Sequence, residues 1–149
     1  MLVQDIMTRD VVTLTMDDDL SVARDLFDRY RFRHLPVIDD DGTLAGIVSD
    51  RDMLAHLSPF VGTINERTAD ANSLRKKAHQ IMTRLPRIAR RDERVEQCAL
   101  IMLHHKVSCL PVVNARDELI GMVTTRDVLW ACLRDMGVEQ EPQPDAPAA

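Results

Sequence analysis

The chain has 149 residues, 45% hydrophobic and 29% charged, a balance typical of a soluble globular protein. Its formal net charge of −5 argues against nucleic acid as the main partner, because nucleic-acid-binding proteins usually carry a basic face. Its three cysteines form no CxxC pair, and no apolar stretch approaches the ~20 residues of a membrane span, so a cytoplasmic protein without a membrane partner is expected.

The first half of the chain predicts a β-α-β-β-α unit. A short extended stretch at 11–15 leads to an acidic helix start at 17–19. A helix follows whose apolar residues recur at spacings of three and four: Leu20, Ala23, Leu26, Phe27 and Tyr30. Two short apolar runs, 34–38 and 44–48, flank a polar turn, which predicts a hairpin. The second run continues into another helix.

The second half predicts the same elements after a polar linker at 58–77, with a helix expected toward Ala78. Asp92 is the predicted cap of a helix whose apolar face comprises Val95, Cys98, Ala99 and Met102. Apolar runs at 109–113 and 119–123 again flank a polar turn. The tail at 136–149 is acidic and Pro-rich and is predicted to be disordered.

The two halves are copies of one another. A shift of 75 residues aligns them without a gap: IMTR at 6–9 falls on IMTR at 81–84, and LPV at 35–37 falls on LPV at 110–112. A unit of about 55 residues buries little surface alone, so two copies are expected to pack sheet against sheet. The predicted domains are 1–57 and 78–135.

The candidate site in each copy lies where the last strand meets the second helix. Both copies read Gly, two apolar residues, a hydroxyl, any residue, Arg and Asp. A helix start offers free N–H groups to phosphate, Arg can pair with phosphate, and Asp can accept from a ribose diol. The candidate residues are Ser49, Arg51 and Asp52, and Thr124, Arg126 and Asp127. The same hydroxyl and Asp also fit a capping box that merely closes the helix.

These motifs and their order resemble those of the CBS domain, a family named for cystathionine β-synthase. The resemblance rests on the DIMT/QIMT opening, the HLPV/CLPV strand and the final Gly-to-Asp motif, over 3–57 and 78–133. It implies an α/β fold of two β-α-β-β-α repeats about a pseudo-twofold axis, with two clefts that bind AMP, ADP, ATP or S-adenosylmethionine, and a homodimer. It also adds Thr13, Arg33 and His34 to the nucleotide-binding residues. The second copy has Ile88, Ser108 and Cys109 there, so the two clefts are not expected to be equal.

A regulatory module that signals the presence of an adenine nucleotide to an unidentified effector protein is therefore predicted. No nucleophile–base pair, Gly-rich phosphate loop or zinc motif suggests catalysis, and no required cofactor is expected. His104 and His105 are adjacent on a helix and point in different directions, so no metal site is expected there. Two alternatives remain: a ligand-free interaction or dimerisation module, and a Mg²⁺ sensor built on the acidic triplets at 17–19 and 39–41.

Overall fold

A computed structural model describes residues 1–138 of the chain. The predicted α/β class is confirmed, and both copies contain the β-α-β-β-α order. The α-helices and strands are β1 (Leu14–Thr15), α1 (Leu20–Tyr30), β2 (His34–Ile38), β3 (Leu44–Ser49), α2 (Asp50–His56), α3 (Thr68–Asn72), α4 (Ala78–Ile81), β4 (Thr83–Arg84), β5 (Ala89–Arg90), α5 (Val95–His105), β6 (Cys109–Val113), β7 (Leu119–Thr124) and α6 (Thr125–Asp135), with short 3-10 helices at Val3–Asp5 and Ser73–Arg75. The predicted disorder of 139–149 lies outside the described residues.

The chain divides into two compact units that do not follow the sequence repeats. One unit holds Val12–Leu85, and the other holds Met1–Val11 together with the described residues from Pro86 onward. The opening segment of each repeat therefore packs in the unit built mainly from the other repeat. The predicted domains, 1–57 and 78–135, remain a description of the sequence repeats.

The unit from Val12 to Leu85 contains a sheet in the order β1-β2-β3-β4. β1 runs parallel to β2, the other neighbours are antiparallel, and Gly46 on β3 pairs with Arg84 on β4. Helix α1 buries the apolar face that the sequence spacing predicts. The core of this unit includes Leu14, Leu20, Ala23, Phe27, Leu35, Val37, Val48, Met53, Ala78, Ile81 and Met82.

The other unit repeats this arrangement with the sheet β5-β6-β7. Thr8 takes the place that β4 occupies in the first sheet, because its N–H donates to the Met122 carbonyl and its carbonyl accepts from the Met122 N–H, both at 2.9 Å. The core includes Val3, Ala89, Val95, Cys98, Met102, Leu110, Val112, Val123, Val128 and Ala131. Val3 thus lies in the core of the unit that is built mainly from the second repeat.

Gly46 and Gly121 leave the room that these opening segments need. A Cβ atom on Gly46 would lie 2.6 Å from Met82 Sδ and 2.8 Å from the Thr83 carbonyl oxygen. On Gly121 it would lie 2.9 Å from both Met7 Sδ and the Thr8 carbonyl oxygen. The repeated Ile-Met-Thr motif and the repeated glycine are therefore two sides of one packing contact.

The predicted cap at Asp92 is wrong. Helix α5 begins at Val95 and its N-cap residue is Arg94, which makes no side-chain capping bond. In the first repeat Asp19 caps α1 by accepting from the N–H groups of Ser21 and Val22. Arg94 occupies the position that matches Asp19, so the second repeat lacks this carboxylate cap, while Asp92 lies too far before the helix to replace it.

The first strand is shorter than the predicted stretch at 11–15, because only Leu14 and Thr15 pair with β2. Among the described residues, no helix combines the length and apolarity required to cross a membrane.

Candidate functional site

Each repeat brings the start of its middle strand next to the start of its second helix. His34 opens β2 and pairs with Ser49 at the end of β3, and the Arg33 carbonyl accepts a 3.0 Å hydrogen bond from the Asp50 N–H. The second repeat has the same arrangement, with Cys109 paired to Thr124 and a 2.9 Å bond from the Thr125 N–H to the carbonyl that precedes Cys109. The hairpin register thus assembles residues that are about 15 positions apart in sequence.

In the first repeat, Ser49 and Asp52 form a reciprocal capping box. The Ser49 N–H donates to Asp52 Oδ2 at 2.9 Å, and the Asp52 N–H donates to Ser49 Oγ at 3.0 Å. These bonds satisfy backbone donors that the first turn of α2 would leave free. They also hold the half-buried Asp52 carboxylate at the end of β3.

In the second repeat, Thr124 and Asp127 form the same box with one more bond. Asp127 Oδ2 accepts from both the Thr124 N–H and the Thr124 hydroxyl at 2.7 Å, and the Asp127 N–H donates to Thr124 Oγ1 at 3.4 Å. Among the described residues, neither Oδ1 of Asp127 nor Oδ1 of Asp52 makes a hydrogen bond. Capping therefore uses one oxygen of each carboxylate and leaves the second as an acceptor, so a cap and a ligand contact are compatible in one residue.

The residues beside the two boxes differ in chemistry. Desolvation lowers the pKa of the half-buried His34, while the nearby carboxylates of Asp50 and Asp52 oppose that shift. At the matched position, burial raises the pKa of the Cys109 thiol to about 12, so this group stays protonated and neutral. The first repeat thus places a titratable imidazole where the second places an uncharged thiol.

His56 is a neighbour of this box that the sequence motifs did not predict. Its Nδ1 atom lies 2.8 Å from the carbonyl oxygen of Asp52, one helical turn earlier in α2. No side-chain motif in the sequence marks this contact, because the acceptor is a backbone carbonyl. The second repeat has the buried Ala131 at this position, so this side-chain contact with a helix carbonyl has no counterpart there.

The remaining predicted residues lie near these boxes but make fewer contacts. Thr13 is half-buried and immediately precedes β1, the strand beside the one that His34 opens. Arg33, Arg51 and Arg126 are exposed, and none of the ion pairs among the described residues involves them.

The acidic triplets serve local structure. Asp18 accepts from the Thr15 N–H at 2.7 Å, Asp19 caps α1, and Asp39 Oδ1 accepts from two N–H groups of the hairpin turn. His104 and His105 are exposed. Within residues 1–138, no group of three or more His, Cys, Asp or Glu side chains is arranged to hold a metal ion.

Comparison with known sequences identifies the family. The sequence profile of the CBS domain matches this chain twice, at residues 3–59 and 78–134. The chain belongs to the CBS domain family. Its two repeats form the tandem arrangement called a CBS pair.

Relatives of this CBS pair include both small proteins and large enzymes. It is 36% identical over 129 residues to a CBS domain-containing protein of Dictyostelium discoideum, a match that covers 86% of this chain and 88% of that protein. It is 30% identical over 125 residues to the inosine-5′-monophosphate dehydrogenase of Methanocaldococcus jannaschii, covering 84% of this chain but 22% of that enzyme. The match to the dehydrogenase therefore does not extend its enzymatic activity to the CBS pair.

Two solved structures that are similar to this chain contain adenine-based ligands. CBSX2 of Arabidopsis thaliana, solved in complex with AMP, has a TM-score of 0.76 and 31% identity, covering 91% of this chain and 98% of that chain. The CBS domain pair of protein MJ0100, in complex with 5′-methylthioadenosine and S-adenosyl-L-methionine, has a TM-score of 0.73 and 26% identity, with the same coverage.

Proposed function

We propose that this CBS pair is a regulatory module that binds an adenine nucleotide or S-adenosylmethionine and signals its ligand state to a separate effector protein. Family membership and the ligands of the two solved CBS pairs support this assignment. The observation that carries it is the state of Asp52 and Asp127. Each carboxylate is held by its cap through one oxygen and keeps a second acceptor for a ribose hydroxyl.

The first repeat is the stronger candidate for a charged nucleotide. His34 pairs with Ser49 of its box, Arg33 precedes His34, Arg51 lies between Ser49 and Asp52 in the chain, and Thr13 immediately precedes the neighbouring strand β1. In the second repeat, Ser49 and Arg51 have counterparts in Thr124 and Arg126, but the matches of Thr13, Arg33 and His34 are Ile88, Ser108 and Cys109. Fewer polar groups are then available to replace the water that a charged ligand loses.

Signalling requires that the ligand bind one conformation of the module better than another, since only differential affinity shifts an equilibrium. The proposal includes a homodimer and an effector protein, with no catalytic step, required cofactor, nucleic acid or membrane partner. A cytoplasmic location is also proposed, and the three unpaired cysteines are consistent with a reducing compartment.

The first experiment is thermal unfolding of the purified protein with AMP, ADP, ATP, S-adenosylmethionine and, as a control, GTP. A ligand at one hundred times its Kd stabilises the folded state by about 2.7 kcal/mol. For a chain of this size we expect the midpoint to rise by roughly 5–10 °C. A panel in which no adenine ligand moves the midpoint contradicts the proposal.

Three variants separate ligand binding from capping. Asp52→Ala and Asp127→Ala each remove the carboxylate half of a capping box and a proposed ligand contact, whereas Asp19→Ala removes an N-cap carboxylate alone. All three are expected to lose about 1 kcal/mol of stability. Only the Asp52 and Asp127 variants should also lose the ligand-dependent shift, in proportion to the use of each site. A full shift in the Asp52→Ala, Asp127→Ala double variant would show that these carboxylates only cap helices.

The ligand-free interaction module is the second candidate. It is favoured by the completeness of both capping boxes. Capping alone explains why the hydroxyl and the Asp have the same spacing in both repeats, without any ligand. A Mg²⁺ sensor is the third, and it predicts that Mg²⁺ raises the unfolding midpoint and that EDTA reverses the rise.

A further inference from the structure

A cavity lies at the end of the sheet β5-β6-β7 that is remote from the box of Thr124 and Asp127. Strands β5 and β6 run parallel, and Arg90 pairs with Val113 at their carboxyl ends. The carboxyl ends of parallel strands are a common place for ligands in α/β proteins. The cavity has a volume of about 600 Å³, which is in the range of small-molecule sites. It is lined by Arg90, Arg91, Asp92, Val113, Asn114 and Ala115.

This cavity is separate from the proposed nucleotide site of the same repeat. Cys109 begins β6 and pairs with Thr124, whereas Val113 ends β6 and lines the cavity. The five residues of β6 span about 13 Å between their first and last Cα atoms. A small molecule in the cavity therefore lies at the opposite end of the strand from the box.

Arg90 is fixed in the wall of this cavity by two neighbours. Its Nη1 donates to the Asn114 carbonyl, and its Nη2 donates to Asp117 Oδ1 at 2.9 Å. A guanidinium group has five N–H donors, so these two bonds leave others for a ligand. The planar arrangement of the donors matches the oxygens of a carboxylate or a phosphate.

Asp117 holds Arg90 from a backbone conformation that favours glycine. Its φ is 61°, and the matched residue of the first repeat is Gly42, with a φ of 81°. A side chain in this left-handed region is less favourable than glycine, although Asp tolerates it better than most residues. The second repeat thus has a less favourable residue at this position, and its carboxylate positions the Arg90 guanidinium.

Arg91 supplies a second guanidinium to the cavity. Its Nε donates to Gln4 Oε1 at 3.2 Å, and its other side-chain N–H groups make no hydrogen bond with residues 1–138. The lining carries two arginines against one aspartate, Asp92, and therefore favours an anion.

The first repeat lacks this charge pattern. Thr15 and Met16 occupy the positions that match the two arginines. Asp39 and Asn114 build the same hairpin turn, because Oδ1 of each accepts from two backbone N–H groups, but the amide brings no charge. Wherever the lining residues differ in charge from their counterparts, the second repeat is the more positive. Because the first repeat forms the same strands and turn without arginines, their presence in the second needs another explanation.

We propose that this cavity is a binding site for a small anion, whose carboxylate or phosphate oxygens bind to Arg90 and Arg91. The site goes beyond the proposed adenine site and does not depend on it. Asp117 is a positioning residue, because it acts through Arg90. Asp92 weakens binding, because its carboxylate repels the anion.

The test is an NMR titration of the ¹⁵N-labelled chain at constant ionic strength, with citrate as the carboxylate probe and inorganic phosphate as the phosphate probe. The amide signals of 90–92 and 113–115 should shift and saturate with at least one probe. The matched signals of 15–17 and 38–40 should not shift. Comparison of the two probes shows which oxyanion the site prefers. Adenosine, which carries no anionic group, should leave the signals of the cavity unchanged.

Arg91→Met installs the residue of the first repeat at an exposed position. It should weaken binding of the preferred probe by about tenfold, as expected for the loss of a charge-assisted hydrogen bond. Arg134→Gln removes an exposed arginine of α6 and is the matched control for the change in net charge. Its affinity for the probe should equal that of the wild type.

Asp117→Gly separates the positioning of Arg90 from stability. It should weaken binding severalfold because Arg90 loses its carboxylate partner, while the urea midpoint stays the same or rises because glycine suits the left-handed backbone. Asp92→Asn should strengthen binding severalfold, since it removes a negative charge from the lining.

The proposal is wrong if neither probe gives saturable shifts, if the matched signals of the first repeat shift equally, or if Arg91→Met binds as tightly as the wild type. Adenosine shifts at 90–92 would instead assign the cavity to the nucleotide. These outcomes are independent of the thermal panel with adenine ligands, which tests Asp52 and Asp127. Failure of one proposal is therefore distinguishable from failure of the other.

Discussion

The two strand-to-helix junctions have the same backbone arrangement but different neighbouring side chains. Ser49 with Asp52 and Thr124 with Asp127 form the same capping box on the same hairpin register. His34 in the first repeat and Cys109 in the second occupy one ladder position but differ in polarity: desolvation lowers the pKa of the imidazole, and burial raises the pKa of the thiol to about 12. Duplication therefore preserved the bonds that build the junction, while the neighbouring side chains, which the backbone does not need, diverged.

The largest expected effect comes from adding a Cβ atom at the repeated glycine, where it contacts the opening segment that packs on the same sheet. Gly46→Ala should cost about 3 kcal/mol of unfolding free energy and Gly121→Ala about 2 kcal/mol, because the added Cβ is closer to its neighbours at Gly46. Urea unfolding midpoints measure both. Measured in a Met82→Ala background, which has its own core-truncation cost, Gly46→Ala should cost less than in the wild type, but not nothing, since the Thr83 carbonyl remains in the way. Wild-type stability of Gly46→Ala would show that the opening segment moves aside freely.

Val3→Ala tests whether the opening segment supports the second repeat. Val3 is fully buried among residues of that repeat, and losing two methyl groups should cost about 1.5 kcal/mol. Native-state hydrogen exchange should speed up at 109–131 and stay unchanged at 35–53. Val22→Ala, the same change at an exposed position, is the control. Equal acceleration in both stretches would contradict the division into these two units.

Removing the hydroxyl of a capping box should lower the unfolding free energy by modest and slightly different amounts in the two repeats. Ser49→Ala and Thr124→Ala are each expected to cost about 1 kcal/mol, with the larger loss at Thr124 because its hydroxyl also donates to Asp127. Arg94→Asp should do the opposite and gain a few tenths of a kcal/mol or more, since it supplies the carboxylate cap that α5 lacks. Thermal midpoints rank the three variants. A destabilised Arg94→Asp variant would show that the start of α5 needs the arginine.

The smallest expected effect is a pH dependence from His34, a position at which the second repeat has Cys109. Folding lowers the pKa of His34, mainly by desolvation, so the unfolded chain binds its proton more tightly. The stability that neutral His34 contributes is therefore present above the unfolded pKa of about 6.5 and is lost as the pH falls below it.

Urea midpoints between about pH 7.5 and pH 5 should show this loss as a slope of less than one proton. His34→Cys, which installs the residue of the second repeat, should flatten the slope. His105→Gln, which removes an exposed histidine, is the matched control. An unchanged slope in His34→Cys would assign the pH dependence to other groups.

Local periodicity made much of the fold predictable. The apolar spacing in α1 and α5 identified the helix sides that pack on the cores, because the side that a helix buries follows from its 3.6-residue period. Leu20, Phe27, Cys98 and Met102 are buried, whereas the predicted Leu26, Tyr30 and Ala99 are half-buried. The cap of α5 was not predictable in this way. Several polar residues precede Val95, and only the backbone of the first turn selects the one that acts as N-cap.

The candidate site was partly predictable for the same reason. The spacing of hydroxyl and Asp predicted the capping box, and the structure adds that one oxygen of each carboxylate is left over. His56 escaped notice because its contact is with a backbone carbonyl, which no side-chain motif records.

By itself the amino-acid sequence determined the two repeats, their order of elements, the capping boxes and the family, because each depends on residues close together in the chain. The tertiary structure alone decided that residues 1–11 pack with the second repeat and 78–85 with the first. Those contacts join residues far apart in sequence. Met82 lies over Gly46 because β3 offers a free edge with which β4 can pair and because the glycine leaves room for the Met82 side chain.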